Sequence, residues 1–242
     1  MIRRIHTPVL QDGDNALDPV QAHHARMVLR LRDGDEVEVF DDAGQTAIGE
    51  LRLDGETAAV HVRQILSSAA TTALRWSVAS AVPKGERADW MVEKLSELGA
   101  EAFIPLATAR SVVLPEGKNK RERWARIATE SAKQCRRAGV MRIEPLTPLA
   151  EVIAAAVTSE STGWCLSTGE AAVPIAAAAR EHRGRFLTLF VGPEGGWTPE
   201  EAAGMSAAGL AEVKLTGTIL RVETAAVAAG AVVAILYSER DD

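Results

Sequence analysis

Polar and apolar residues alternate with period two along EVEVF (36–40), and the alternation resumes in TAIGELRL (46–53) and TAAVHVRQIL (57–66). DDAGQ and the Asp54-Gly55 pair between these runs carry turn chemistry, so residues 1–66 predict a β-rich meander with tight connections. PVQAHHARMVLRLRDGD (19–35) has the spacing of a short helix ended by Asp33-Gly34. A small β-barrel is the economical arrangement, because closure removes exposed strand edges. SSAATTAL (67–74) is small, polar and aperiodic, as a linker is.

Beyond the linker the period changes. RWSVASAV (75–82) reads as a strand, ERADWMVEKLSEL (86–98) as a helix stopped by Gly99, and AEAFIPL (100–106) as another strand. Trp90, Met91, Lys94, Leu95 and Leu98 share one side of that helix. In KRERWARIATESAKQCRRAG (120–139) the stripe is Trp124, Ile127, Ala128 and Cys135, so both Trp90 and Trp124 are expected in the core. After Glu144, helix and strand alternate through EVIAAAV, GWCLS, PIAAAAREH, FLTLFV, PEEAAGMSAA, AEVKL and TAAVAAGAVVAILY. That pace predicts an α/β fold with a mostly parallel sheet covered on both faces. The expected domains are 1–70 and 75–242, with SERDD as a disordered tail.

Composition narrows the class. At 242 residues and 47% hydrophobic content the chain reads as an ordinary soluble globular protein. Two cysteines without paired spacing suggest neither a disulfide framework nor a zinc site, and hence a reducing cytoplasm and no metal. MIRRIHTPVL is followed by QDGDN, where a signal peptide needs its apolar core. The apolar run 225–237 is too short to cross a bilayer, so no membrane partner is expected. The net charge of −6 hides a separation: residues 1–72 hold seven Lys/Arg against twelve Asp/Glu, and residues 117–142 hold nine against two. The basic stretch fits a polyanion-binding patch and a solvated helix face equally well.

FVGPEGGWTPEE (190–201) joins a buried strand to a helix that Thr198, Pro199 and Glu201 cap. Its glycines lie at a strand's carboxyl end, where open α/β sheets bind ligands. Neither GxGxxG nor a terminal GK[ST] is present, and Glu194 would repel phosphate. A tight turn without a ligand is the competing reading. LTGTILRVETAAVAAG (215–230) is a second strand-to-helix loop of the same kind, followed by a helix with six alanines between Ala225 and Ala234.

Five segments, HHARMVLRLRDGDEVEVFD, PKGERADWMVEKLSELGA, RWARIATESAKQCRRAGV, FVGPEGGWTPEE and LTGTILRVETA, occur in the order in which similar segments occur in the RsmE family. Over essentially its whole length the chain resembles these SPOUT-class 16S ribosomal RNA (uracil-N3)-methyltransferases. The resemblance implies a PUA-like RNA-binding β-barrel, a C-terminal α/β domain with a trefoil knot, and a homodimer that holds S-adenosylmethionine (SAM) in the knot. It places SAM against Leu166 and Ser167, against Gly192, Pro193, Glu194, Gly195 and Gly196, and against the stretch Leu215 to Thr224, with Leu215, Gly217, Leu220, Arg221 and Thr224 as its contacts. Thr216 and Thr218 stand where the family pattern has a glycine and an arginine. Arg221 is the expected donor to a uracil carbonyl and Glu223 or Glu194 the expected proton acceptor, with N-terminal helix charge as the other role for Glu223. For 16S rRNA in the small subunit the expected contacts are Arg3, Arg4, Arg26, Arg30, Arg32, Lys84, Arg87, Arg123, Arg126, Lys133, Gln134, Arg136 and Arg137. Trp197 is the one tryptophan placed for stacking. A nucleotide-dependent transferase and a non-catalytic RNA-binding assembly factor are the rival readings.

Overall fold

The computed structural model describes residues 2–67, 74–115, 117–158 and 160–238. Most of the expected linker, 68–73, and the tail, 239–242, lie outside the described residues. The chain divides into two compact units, 1–71 with 129–140 and 72–128 with 141–242.

In the first unit five strands are ordered β1-β3-β4-β5-β2: β1 (Arg3–His6), β2 (Gly13–Ala16), β3 (Glu36–Phe40), β4 (Thr46–Asp54) and β5 (Thr57–Ser67). The expected meander is β3-β4-β5, antiparallel throughout. β1 joins β3 in parallel, a long-range pairing without local signal, and the order leaves β1 and β2 as edges. Every second residue turns inward, so Val37, Val39, Ala47, Leu51, Ala58, Val60 and Val62 meet Ile5 and Leu10 in one core.

Asp18 caps α1 (Pro19–His23), accepting from the Val20 and Gln21 amides at 2.8 and 2.9 Å. The helix then widens into a π turn over His24–Val28 and ends near Arg30, which is left-handed at φ 55°. It stops short of the Asp33-Gly34 end expected for it. The sheet claims that pair instead: Gly34 N donates to Leu51 O at 2.8 Å, and Asp33 Oδ1 accepts from Leu53 N at 2.8 Å.

The second unit is built on parallel strands ordered β11-β13-β10-β12-β6-β7-β8. These are β6 (Arg75–Ser80), β7 (Ala102–Ala107), β8 (Arg142–Ile143), β10 (Ser161–Leu166), β11 (Val173–Pro174), β12 (Phe186–Val191) and β13 (Ala211–Lys214), with β9 (Thr147–Pro148) paired to the end of β7. Helices α2 (Glu86–Glu97), α3 (Lys118–Cys135, of which 129–135 belong to the first unit), α4 (Leu149–Ala156), α5 (Ile175–Glu181), α6 (Pro199–Ala207) and α7 (Val222–Ser238) complete the alternation. β13 adds beyond β10, yet α7 packs on β12, β6, α2 and α5. The chain therefore runs outward past β10 and returns over the sheet.

Trp124 is buried at 1% exposure, edge-on to Phe103, with its indole N–H donating to Asp89 at 2.9 Å. Trp90 is not in the core. It is 46% exposed, because α2 turns Ala88, Met91, Val92, Leu95 and Ser96 inward and leaves the next position on the rim. The small residues of α7 permit a close approach: a methyl group on Gly230 would lie 2.9 Å from the Trp76 ring and 3.4 Å from Leu95. Gly230→Val is expected to lower stability by about 1–3 kcal/mol through overpacking, read as a fall in denaturant midpoint at constant slope.

Candidate active site

Loops leaving the carboxyl ends of β10, β12 and β13 surround a cavity of about 480 Å³. Its place at the carboxyl ends of parallel strands is that of ligand crevices in open α/β sheets. The glycine-rich loop is held at both ends. Gly196 N donates to Pro193 O at 2.8 Å, and Gly196 takes φ 70°, a conformation glycine adopts without strain. The expected capping box is present: Glu201 N donates to Thr198 Oγ1 at 3.2 Å and Thr198 N to Glu201 Oε2 at 2.8 Å. Gly192 lies under the Trp197 indole so closely that a methyl group there would come within 2.9 Å of the ring.

Nine of the expected cofactor residues line the cavity: Leu166, Ser167, Gly192, Pro193, Glu194, Gly195, Gly196, Leu215 and Leu220. Gly217, Arg221 and Thr224 are not among its lining residues. A methyl group on Gly217 would meet nothing within 4 Å, and no positive φ requires glycine there. Arg221 and Thr224 are exposed where α7 begins. Thr216 and Thr218 line the cavity and shape their own loop, the Thr216 hydroxyl donating to Thr218 O at 3.0 Å and accepting from Thr218 N at 3.2 Å. Ile219 and Val222, within the expected stretch Leu215 to Thr224, also line it, and Thr168, Val191 and Ala225 do so without having been expected to. Adjacency to the glycines was the only signal for Trp197, another lining residue.

Among the described lining residues the one charged side chain is Glu194. Arg87 draws the expected acids together: its Nη1 lies 3.3 Å from Glu223 Oε1 and 3.8 Å from Glu194 Oε1. The Glu223 side chain is only 8% exposed and its Oε2 is buried without a hydrogen-bond partner, whereas that of Glu194 is 56% exposed. Arg87 thus serves as a counter-ion inside the unit.

Cys165, at the end of β10, is buried, and burial with the nearby Glu212 charge pushes its thiol from 9.0 up to about 12. Burial thus favours the neutral thiol over the thiolate in the folded chain. Its contribution to stability is therefore present below pH 9.0 and is lost as pH rises towards 12. At pH 8.5 an alkylating reagent is expected to modify the half-buried Cys135 at least tenfold faster than Cys165, read by peptide mass mapping.

The expected RNA contacts separate by burial. In the first unit Arg3, Arg30, Arg32, Gln134 and Arg136 are exposed, the last paired with Glu38. Arg4 is instead an interior tie: it pairs with Glu38 at 3.0 Å, donates to Ala132 O at 3.0 Å and covers the Phe40 ring at 3.9 Å. Arg26 binds the carbonyls of Gly55 and Thr57. Lys133, at 8% side-chain exposure, binds Gln21 and Glu130, and Arg137 is half-buried. In the second unit Lys84, Arg123 and Arg126 are exposed, with Arg123 paired to Asp89 at 2.7 Å.

Comparison with known proteins agrees with this architecture. Residues 71–234 match the RNA methyltransferase domain, and residues 17–60 match the RNA methyltransferase PUA domain. The ribosomal RNA small subunit methyltransferase E of Bacillus subtilis is 31% identical, covering 85% of this chain and 83% of that protein. The Mycobacterium bovis protein of that description is 31% identical over 95% of this chain and 87% of its own. A solved structure of ribosomal RNA small subunit methyltransferase E from Neisseria gonorrhoeae, bound to S-adenosyl methionine, superposes with a TM-score of 0.85 at 27% identity, covering 98% of each chain. Fold and site together define an RNA methyltransferase with a PUA domain. More narrowly, the chain belongs to the ribosomal RNA small subunit methyltransferase E family.

Proposed function

We propose that this protein transfers a methyl group from SAM to N3 of a uridine in 16S ribosomal RNA of the small subunit, in the cytoplasm and as a homodimer. The observation that carries the reading is the charge of the cavity: among the described residues it presents one carboxylate and no cation, with Leu166, Leu215, Ile219, Leu220 and Trp197 as apolar surface. That chemistry fits an adenosyl sulfonium cation and rejects a nucleotide phosphate. Its volume of about 480 Å³ is also within the range of small-molecule sites.

When bound, SAM supplies an electrophilic methyl group on a positively charged sulfur. Three tasks fall to the protein. The apolar walls exclude water, which favours a reaction in which cation and anion combine to neutral products. The glycine and threonine loops orient the donor, and orientation alone provides effective concentrations of about 10⁵ M or more. Arg221, exposed at the start of α7, donates to the uracil carbonyl where negative charge develops. Glu194 is the proton acceptor that the geometry favours, since it lines the cavity and is open to an incoming base. Glu223 acts through Arg87: its buried carboxylate holds the guanidinium near Glu194.

The exposed cations bind phosphate, so RNA affinity falls with salt, and the target base is unstacked before it reaches the cofactor. Ile219 supports the dimer, because it lines the cavity yet is 88% exposed, and a second copy covering it would complete the wall. Incubation with labelled SAM and small subunits lacking the modification, followed by mapping of the methylated base, tests the reaction. Label is expected at N3 of one uridine; label on carbon or ribose refutes that position, and no label supports the assembly-factor reading.

A further inference from the structure

The turn after β7 stands outside the cavity, yet it grips the cavity's glycine-rich wall at three points. Arg110 Nη1 donates to Gly195 O at 2.7 Å and to Trp197 O at 3.3 Å, and Ala109 N donates to Glu201 Oε1 at 2.8 Å. Glu201 is thereby shared, since its other oxygen closes the capping box on Thr198 N. The turn is itself stiff: Ser111 N donates to Thr108 O at 3.2 Å, Thr108 N donates to Ser111 Oγ at 3.2 Å, and the two hydroxyls lie 2.8 Å apart. It is also anchored to the sheet, because β7 pairs with β9 through Leu106 and Ala107. The Arg110 stem packs against Gly195, where a methyl group would lie 3.3 Å from its Cδ.

We infer that Arg110 is a positioning residue for cofactor binding, which sets the shape of the 192–197 wall by holding the Gly195 and Trp197 carbonyls. The inference rests on the reading of the cavity as the SAM site. A glycine-rich loop loses more conformational freedom on ordering than other sequences do, so an unclasped loop has to be ordered by the ligand itself. Arg110 does this ordering beforehand. A planar guanidinium suits the task because one nitrogen reaches two carbonyls while the stem covers Gly195. The side chain is exposed and does not line the cavity, so its removal leaves the cavity's own surface intact.

The test compares the full chain with Arg110→Ala and Arg110→Lys by calorimetric titration with SAM, amide hydrogen exchange without ligand, and thermal melting. Arg110→Ala is expected to weaken SAM binding about tenfold, the size of a lost charge-assisted hydrogen bond. It should speed exchange over 192–197 while leaving exchange elsewhere and the melting temperature unchanged, and Arg110→Lys should recover part of both losses. Unchanged affinity with unchanged exchange overturns the inference, as does a loss spread over the whole chain with a lowered melting temperature. If the unaltered protein fails to bind SAM, the cofactor reading falls, and the exchange comparison still decides whether Arg110 orders the loop.

Discussion

Arg221→Ala is expected to lower the rate of methyl transfer by about 10²–10³-fold while changing SAM affinity less than threefold. The magnitude is that of removing one donor from a site where negative charge develops, about 2.7–4 kcal/mol of transition-state stabilisation. The split between the two quantities follows from placement: Arg221 is exposed where α7 begins, and the cavity wall is made by its neighbours Leu220 and Val222. Its backbone carbonyl still accepts from Ala225 N at 2.8 Å, a bond that alanine keeps, so the start of the helix survives the substitution. Single-turnover kinetics at saturating SAM, set beside calorimetric titration of the same variant, check it. Equal losses in rate and affinity would assign Arg221 to cofactor binding.

Gly192→Ala acts on the opposite quantity. The added methyl group would lie 2.9 Å from Cε2 and 3.2 Å from Nε1 of Trp197, closer than ordinary contact allows. The indole has little room to yield, since its residue is tethered through its carbonyl to Arg110 and precedes the Thr198 cap. Trp197 lines the cavity, so its displacement reshapes the wall that meets the cofactor. SAM affinity is expected to fall at least 30-fold, or about 2 kcal/mol, within the 1–3 kcal/mol range of overpacking. Gly217→Ala is the control: with open space around it and no positive φ, it should leave affinity within twofold. If calorimetry finds the two variants equivalent, glycine at 192 serves flexibility and not close approach.

The contrast between these glycines shows where reading the chain runs out. The sequence displays both in loops that follow strands, and nothing local says that an indole lies over one and open space beside the other. Arg87 is a similar case. Its charge and position suggested RNA, and only the packing of α2 beside α7 brought Glu223, 136 positions away, within 3.3 Å. Arg4 likewise looks like an N-terminal surface cation until Glu38, Phe40 and Ala132 close around it. Trp90 lies one step of helix rotation off the buried face of α2, a distinction that a stripe of five residues with a lysine in it does not resolve.

Local signals were strong where the physics is local. The alternation of β3, β4 and β5, the capping box at Thr198 and Glu201, and the stop at Gly99 all depend on residues within a few positions of one another, and each appears as the pattern implied. Binary patterning and five ordered motifs were enough to determine the α/β class and the family. The pairing of β1 with β3, the return of α7 over β12, the Arg87 ion pairs and the grip of Arg110 on the glycine loop were decided by tertiary structure. These join segments far apart in the chain, and their free energy depends on which surfaces folding brings into contact, a quantity that no short window of sequence contains.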